Sequence, residues 1–241
     1  MSVKGKTAVK HESRPRVCVV IPALNEETTI ADVVRGALLF ADEVIVVDDG
    51  SVDRTAELAR RAGAHVVKHL KNMGQWSALR TGFREALRKG FDIVVTMDAD
   101  GQHDPTNIPR LLKPILEGRA DLVIGSRLKG RPVAMIPYRY VGIKFFSKLL
   151  STFMSVNLTD VTSGFRAYRS WLLEVMVRRM YERQYGILEA TVMAWRLGAR
   201  IEEEPINFAP RKISKKGSIR FFLNLVRVLL RSLLTHILGF S

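Results

Sequence analysis

The stretch VVTMDADGQ, Val94–Gln102, is a short apolar run that ends abruptly at two carboxylates. In extended backbone, residues two apart point to the same side, so Asp98 and Asp100 can direct oxygen atoms to one point, with Gln102 as a third candidate. Proteins bind Mg²⁺ and Mn²⁺ through such carboxylates and leave coordination positions for water and phosphate. The stretch therefore predicts a strand that ends in a metal site for a nucleoside diphosphate. The simpler alternative is a solvated turn.

Similar β-branched runs recur on both sides of this stretch and alternate with segments of helical period. Predicted strands are Val17–Ile21, Glu43–Val47, Ala64–Val67, Phe91–Met97 and Asp121–Ile124, and the helices between them begin near Thr28, Asp53, Trp76 and Pro105. Farther on, a helical region Tyr138–Val156 and a strand-like Phe165–Tyr168 precede helices at Trp171–Tyr181 and Ile187–Leu197. Such alternation is typical of parallel βαβ units. We therefore expect an α/β fold with a mostly parallel, Rossmann-like sheet flanked by helices.

Composition narrows the class of protein. The chain has 241 residues, 47% of them apolar, which is enough for one large core. The formal net charge of +14 indicates an anionic partner, either nucleic acid, acidic lipid or a phosphorylated substrate. The single cysteine, Cys18, is expected to pack in the core. The start of the chain does not resemble a signal peptide, and no uncharged run reaches about 20 residues, so we expect a cytoplasmic protein without a membrane span.

Three regions are expected: a basic N-terminal extension over residues 1–15, a folded domain over 16–217, and an amphipathic helix over 218–241. In the last region a narrow stripe that includes Arg220, Arg227 and Arg231 crosses an otherwise apolar surface. Either this helix closes the core, or it lies in a membrane interface or docks on a membrane-spanning partner.

Polar residues follow three of the predicted strands. They are the loops Pro22–Glu27 and Asp48–Ser51 and the acidic pair after the fourth strand. In an open α/β sheet the ligand crevice lies beyond the carboxyl ends of the strands, so these loops are expected to converge. Neither a G-x-G-x-x-G fingerprint nor a P-loop is present, which leaves a nucleotide held by carboxylates and metal.

The motifs in these loops resemble those of family 2 glycosyltransferases. VVIPALNE at Val19–Glu26, VVDDGS at Val46–Ser51, N-x-G at Asn72–Gly74, DADGQ at Asp98–Gln102 and GSR at Gly125–Arg127 occur in that family's order and spacing. More narrowly, the chain resembles dolichyl-phosphate mannose synthases and related polyprenyl-phosphate glycosyltransferases, through D-x-x-S-G-F-R at Asp160–Arg166 and EEPI at Glu203–Ile206. The resemblance covers residues 16 to 211.

This resemblance implies a GT-A fold for the main domain. It assigns nucleotide binding to Pro22, Asn25, Glu26, Asp48, Asp49 and Asp98, and binding of Mg²⁺ or Mn²⁺ to Asp98, Asp100 and Gln102. For Asp48 the alternative is an Asx-type turn before Gly50. Gln75 and Trp76 stand where relatives often carry small or basic residues, which leaves the sugar open between mannose and glucose.

The expected reaction is an inverting transfer of a hexose, mannose from GDP-mannose first, to a polyprenyl or dolichyl phosphate. UDP-glucose as donor, or another acceptor, is the alternative. Cations must hold the acceptor phosphate, and the candidates are Arg127, Arg139, Arg166, Arg211, Lys215 and Lys216, each with a solvated surface charge as the alternative. The resemblance favours Arg127 and Arg139, which we place with Asp100 as catalytic; Arg211 and Lys216 complete the acceptor-phosphate set. The expected location is peripheral, on the cytoplasmic face of a membrane.

Four further polar residues have less specific assignments. Asp160 and Glu189 match acidic positions of the family and either orient the sugar or pair with Arg166 or Arg196. Asp104 before Pro105 predicts a helix cap, and His103 is interpreted as a bystander. We expect no nucleic-acid partner, because the basic residues are dispersed and not interleaved with aromatic ones.

Overall fold

The computed structural model describes residues 14–130, 137–180, 182–208 and 224–231, with the backbone alone at 137–139. Its centre is one seven-stranded sheet. The strands are β1 Val17–Ala23, β2 Glu43–Asp48, β3 His65–Lys68, β4 Ile93–Thr96, β5 Leu122–Ser126, β6 Arg166–Arg169 and β7 Ile201–Pro205. Their order is β3-β2-β1-β4-β6-β5-β7, and all neighbours are parallel except that β6 runs antiparallel to β4 and β5. The predicted mostly parallel α/β sheet is confirmed.

Helices cover both faces of this sheet. They are α1 Ile30–Leu38, α2 Thr55–Arg61, α3 Gln75–Arg88, α4 Ile108–Leu116, α5 Pro137–Met154, α6 Ser170–Arg179, α7 Ile187–Arg196 and α8, whose described part is 224–231. Alternation along β1 separates two cores, because Val19 and Ile21 pack with α1 and α4 while Cys18 and Val20 pack with the other layer. That second layer contains α3, α5, α6, α7 and α8.

The cap predicted at Asp104 is confirmed. Its carboxylate accepts a hydrogen bond from the Thr106 amide at 3.0 Å, at the start of a short 3-10 turn, Pro105–Asn107, that leads into α4. Cys18 is fully buried, as predicted, and burial raises the pKa of its thiol.

The described part of the C-terminal helix packs on the core. Leu225, Val228 and Leu229 are almost fully buried, and Arg227 donates to the Glu182 carboxylate at 3.1 Å. This contact agrees with the core-closing alternative for those eight residues, whereas the rest of the predicted helix over 218–241 and the basic extension through residue 13 lie outside the described residues. Within the described ranges, no helix has both the length and the apolar character needed to cross a membrane.

Candidate active site

The loops after β1, β2 and β4 meet at the carboxyl edge of the sheet, as predicted. Asn25 joins the first two loops. Its main-chain amide donates to Ser51 Oγ, and its side-chain Oδ1 accepts from the main-chain amide of Val52, both at 3.0 Å. The Thr29 hydroxyl donates to the Ala99 carbonyl at 2.8 Å and joins the first loop to the acidic one. Asn25 adopts φ 54°, a left-handed conformation that asparagine tolerates better than most residues.

Asp48 is fully buried at the end of β2. Its Oδ1 accepts from the Ser51 amide at 3.0 Å, so the Asx-type turn predicted as the alternative is present. Its Oδ2 makes no hydrogen bond to described residues, although Lys68 Nζ lies 3.6 Å away. This buried oxygen beside the converging loops therefore lies near a cation but lacks a hydrogen-bond donor among the described residues.

The carboxylate of Asp49 holds the next loop. It accepts hydrogen bonds from the Met73 amide at 2.9 Å and the Gly74 amide at 2.8 Å, and its Oδ1 lies 2.7 Å from His69 Nδ1. Gly74 has φ 99°, and a Cβ there would come within 2.6 Å of the Arg183 carbonyl, so only glycine fits this turn. Asp49 thus fixes the entry of α3, and its contact with a nucleotide stays a prediction.

Asp98 lies where three segments approach. Gln75, at the start of α3, donates to Asp98 Oδ1 at 3.0 Å. Gly164 is close enough that a Cβ there would lie 3.5 Å from the same oxygen. The carboxylate keeps 35% exposure, so it is oriented by protein contacts and still open to a ligand. The only indication of this contact in the sequence was that Gln75 stands where relatives often carry small or basic residues.

The interpretation of His103 as a bystander is wrong. His103 is buried, its Nδ1 accepts from the Asp98 amide at 3.0 Å, and its Nε2 lies 3.7 Å from Asp98 Oδ2. The ring stacks on Phe165 with centroids 4.8 Å apart. Burial lowers the pKa of the imidazole, against the opposing effect of the Asp98 and Asp100 carboxylates. A buried, neutral His103 therefore helps to hold Asp98 in position.

Asp100 does not extend the strand, contrary to the geometry expected from the sequence. β4 ends at Thr96, and Ala99 and Asp100 form a turn that continues through Gly101 at φ 75°. The Gln102 amide donates to Asp100 Oδ1 at 3.0 Å and stabilises this turn.

The acidic pair Asp98 and Asp100 stays the predicted site for Mg²⁺ or Mn²⁺. Among the described residues, no group of three or more His, Cys, Asp or Glu side chains is arranged to hold a metal ion by itself. Mg²⁺ is commonly bound through one or two carboxylates, with water and substrate phosphates as its other ligands. Two carboxylates, one of them on the partly exposed Asp98, are the donor types of that mode, and their binding of a metal stays a prediction.

Arg127, directly after β5, forms a buried ion pair with Asp160. Its Nε and Nη2 donate to the two carboxylate oxygens at 2.6 and 2.7 Å, and Nη2 also donates to Thr162 at 2.8 Å. Burial opposes ionisation of Asp160, but the guanidinium holds the pKa of this carboxyl below its ordinary value. The predicted alternative partner of Asp160, Arg166, is therefore wrong, and the partner is Arg127.

The structure also removes Arg166 from the acceptor candidates. Arg166 is fully buried and donates to the Ser163 and Val161 carbonyls and to the Thr191 hydroxyl, so it builds the 160–164 loop. The side chains of Arg139, Arg211, Lys215 and Lys216 lie outside the described residues. Glu189 is buried and accepts from the Glu182 amide at 3.2 Å.

Glu203 has a structural role that was not predicted from the sequence. It lies on β7 with a fully buried carboxylate that accepts from the amides of Thr159 and Asp160, each at 2.8 Å. Lys129 Nζ is 3.5 Å away. Glu203 therefore fixes the backbone from which Asp160 reaches Arg127, and the only sequence signal was its place in the EEPI motif.

Comparison with known proteins agrees with this geometry. A model of the family described as "Glycosyl transferase family 2" matches residues 18–177. An undecaprenyl-phosphate mannosyltransferase of Micrococcus luteus is 37% identical over 212 residues, which is 83% of this chain and 86% of the relative. A polyprenol monophosphomannose synthase of Mycolicibacterium smegmatis is 34% identical over 211 residues, 82% of this chain and 79% of the relative.

Among solved structures, the glucosyl-3-phosphoglycerate synthase of Mycobacterium tuberculosis, in complex with Mn²⁺, uridine diphosphate and glucosyl-3-phosphoglycerate, superimposes with a TM-score of 0.73. It is 25% identical, and the match covers 91% of this chain and 80% of that one. By the family match, the sheet order and the converging acidic loops together, this chain belongs to glycosyl transferase family 2.

Proposed function

We propose that this glycosyltransferase moves a hexose from a nucleoside diphosphate sugar to a polyprenyl phosphate, with mannose from GDP-mannose as the first donor to test. The observation that carries the proposal is the placement of Asp98. Its Oδ1 accepts from Gln75, its main-chain amide donates to His103, and Gly164 of the 160–164 loop lies against its carboxylate. A carboxylate suited to the donor thus lies against the loop whose Asp160 binds Arg127, a cation suited to an acceptor phosphate. The names of the two curated relatives support the lipid acceptor and mannose.

The chemistry of the acceptor explains why no general base is needed. A phosphate monoester has a second pKa of about 6, so at neutral pH its oxygen is already anionic and nucleophilic. The obstacle is repulsion between this anion and the donor diphosphate, since two unit charges 4 Å apart repel by about 4 kcal/mol at an effective dielectric of 20. Cations at the acceptor side must offset that cost.

Arg127 can supply one such cation. Asp160 and Thr162 engage its Nε and Nη2, whereas its Nη1 makes no hydrogen bond within the described part of the chain. This nitrogen is therefore the group that we assign to an acceptor oxygen. Arg139, Arg211 and Lys216 are proposed to complete the acceptor set.

On the donor side, Asp98 and Asp100 would hold Mg²⁺ or Mn²⁺, with Gln102 as a further ligand, and the ion would stabilise charge on the departing nucleoside diphosphate. Pro22, Asn25, Glu26, Asp48 and Asp49 are proposed to line the nucleotide. Attack in line from the acceptor side inverts the anomeric carbon, and we expect an oxocarbenium-like transition state. Asp48 Oδ2, which has no hydrogen-bond donor among the described residues, is the protein acceptor that we assign to a nucleobase or ribose donor group.

UDP-glucose is the second donor to test. The observation in its favour is the solved neighbour, whose complex holds uridine diphosphate and a glucosylated phosphate acid. We propose a peripheral location on the cytoplasmic face of a membrane, where a polyprenyl phosphate and a soluble nucleotide sugar meet. A membrane surface or a membrane-spanning partner subunit would bring the enzyme there.

The test is direct transfer. Purified protein is offered radiolabelled GDP- and UDP-hexoses with dolichyl phosphate and Mn²⁺, and the lipid fraction is extracted and counted. Label in lipid that is lost in Asp100→Ala and kept in Asp104→Asn, whose cap hydrogen bond is conserved, supports the proposal. 3-Phosphoglycerate is offered in parallel, and label found only in its product would show that the acceptor is a soluble phosphate. If no donor gives a labelled product, the proposal is overturned.

A further inference from the structure

Helix α5 presents an apolar face to solvent. Tyr140, Val141, Phe145 and Leu149 are 41%, 64%, 50% and 41% exposed. The last three recur every four residues and therefore form one stripe along the helix. The opposite face, with Phe146 and Leu150, is buried in the core. Other exposed apolar side chains, such as Leu39, Val52 and Leu70, do not share a helix face with one another.

The same exposed face is basic. Lys144 and Lys148 are exposed and lie one turn apart beside the apolar stripe, and α5 contains no acidic residue. Lys144 Nζ is 4.6 Å from the centre of the Tyr140 ring, so the ammonium is held at the edge of the apolar surface. Apolar side chains flanked by lysines, with a partly exposed tyrosine, are typical of helices that lie in the headgroup region of anionic membranes.

The inner side of α5 touches the candidate acceptor site. Ser147 Oγ accepts from the Val161 amide at 3.2 Å, and Ser151 exchanges hydrogen bonds with Leu158 at 2.9 Å. Val161 adjoins Asp160, the residue that holds Arg127. The exposed face of α5 and the cation assigned to the acceptor phosphate therefore lie on opposite sides of one packed segment.

We infer that the α5 face, defined by Tyr140, Val141, Lys144, Phe145, Lys148 and Leu149, docks on a bilayer that contains anionic lipid. Charge favours this occupant, because the face is cationic and the whole chain carries +14. The described part of α8 does not offer an equivalent surface, since Leu225, Val228 and Leu229 are buried in the core. The inference rests on the proposed function for its purpose, a lipid acceptor, but its test does not use sugar transfer.

The test is cosedimentation of the full chain with vesicles of phosphatidylcholine containing phosphatidylglycerol, and with phosphatidylcholine alone. Lys144→Gln with Lys148→Gln is expected to lower partitioning to the anionic vesicles about 30-fold at low ionic strength. Val141→Ser with Phe145→Ser is expected to lower it about tenfold. The control pair, Leu39→Ser with Lys113→Gln, changes an even more exposed leucine and an exposed lysine on the opposite helix layer and should leave partitioning unchanged.

Because all substituted side chains are exposed, the urea unfolding midpoint should be the same for every variant. Equal partitioning of the parent and both α5 variants would overturn the inference, as would an equal loss in the control pair. A parent chain that binds neither kind of vesicle would also overturn the inference. If light scattering shows a dimer that the Val141→Ser and Phe145→Ser pair dissociates, the face belongs to a second copy and the lipid assignment is wrong. Failed sugar transfer with intact vesicle binding would count against the proposed function alone.

Discussion

The backbone amide of Asp98 donates to Nδ1 of His103, and this one hydrogen bond determines where the imidazole keeps its proton. A nitrogen that accepts cannot carry hydrogen, so the neutral ring is protonated at Nε2, which faces Asp98 Oδ2 at 3.7 Å. Main chain and side chain of Asp98 are thus oriented by opposite edges of one buried ring. As the proposed metal ligand, a carboxylate held in this way would need little reorganisation when the ion arrives.

Replacing His103 by phenylalanine is expected to keep the stacking on Phe165 and to remove the acceptor for the Asp98 amide. An unsatisfied buried N–H costs about 1 to 3 kcal/mol, so the free energy of unfolding in urea should fall by that amount. The concentration of Mn²⁺ that gives half-maximal transfer should rise as well. His65→Phe, at a surface histidine paired with Glu85, is the control. Unchanged stability and Mn²⁺ dependence in His103→Phe would contradict the role given to His103.

Glu203 and Glu204 are neighbours on β7 with different environments, and they give a matched pair. Glu203→Gln places an NH₂ group against the donors of Thr159 and Asp160, and loss of these charge-assisted bonds should destabilise the fold by about 1.5 to 3 kcal/mol. Glu204→Gln changes a partly exposed side chain and should alter the unfolding free energy by less than about 0.5 kcal/mol. Equal effects of the two substitutions in urea titrations would mean that the 159–160 loop does not depend on Glu203.

Local patterns predicted most of the strands and the polar loops at their ends, because a buried strand and its terminating residues lie within a few positions of each other. β7 was missed because its sequence, Ile201–Pro205, contains three consecutive glutamates and lacks apolar alternation. The run that became β6 was recognised as a strand, but its antiparallel insertion between β4 and β5 depends on pairing partners distant in sequence.

The same limit applies to the site. The carboxylates of Asp98 and Asp100 were evident from spacing alone, whereas the role of His103 depends on a stack with Phe165, and the role of Asp160 on an arginine 33 residues away. The helix predicted over 218–241 shows a further ambiguity, because a wide apolar face predicts burial in a core and contact with a membrane equally well. Only tertiary packing distinguishes the two for Leu225 and Leu229.

Leu229 and Leu230 are adjacent in α8, and substituting each of them tests whether this helix packs on the core. Leu229 is 2% exposed and Leu230 is 56% exposed. Leu229→Ala should lower the free energy of unfolding by about 2 to 5 kcal/mol, because it leaves a cavity between α8 and the core. Leu230→Ala should change it by less than about 0.5 kcal/mol. Similar small effects at both positions would show that the segment does not close the core in solution.

An ion pair between Arg200 and Asp121, at the edge of the sheet opposite the candidate site, predicts how the stability of the fold changes at acid pH. Arg200 donates to Asp121 through its amide at 3.0 Å and its Nε at 2.9 Å, and its guanidinium holds the pKa of the Asp121 carboxyl below the ordinary value. A depressed folded-state pKa means that this carboxylate stabilises the fold above the unfolded pKa of about 3.9, and that the contribution is lost as pH falls through the folded value. The free energy of unfolding should therefore fall as the solution is acidified below about pH 4.

Asp121→Asn cannot titrate, so its unfolding free energy should lie below that of the parent at pH 7 and approach it as the pH falls. The measurement is a series of urea titrations from neutral to acid pH for both chains. Asp32→Asn is the control, because Asp32 is a largely exposed partner of Arg35 and its ion pair is screened by solvent. If the gap between the parent and Asp121→Asn widens on acidification, the folded-state pKa of Asp121 lies above its unfolded value and the assigned ion pair is not the dominant influence.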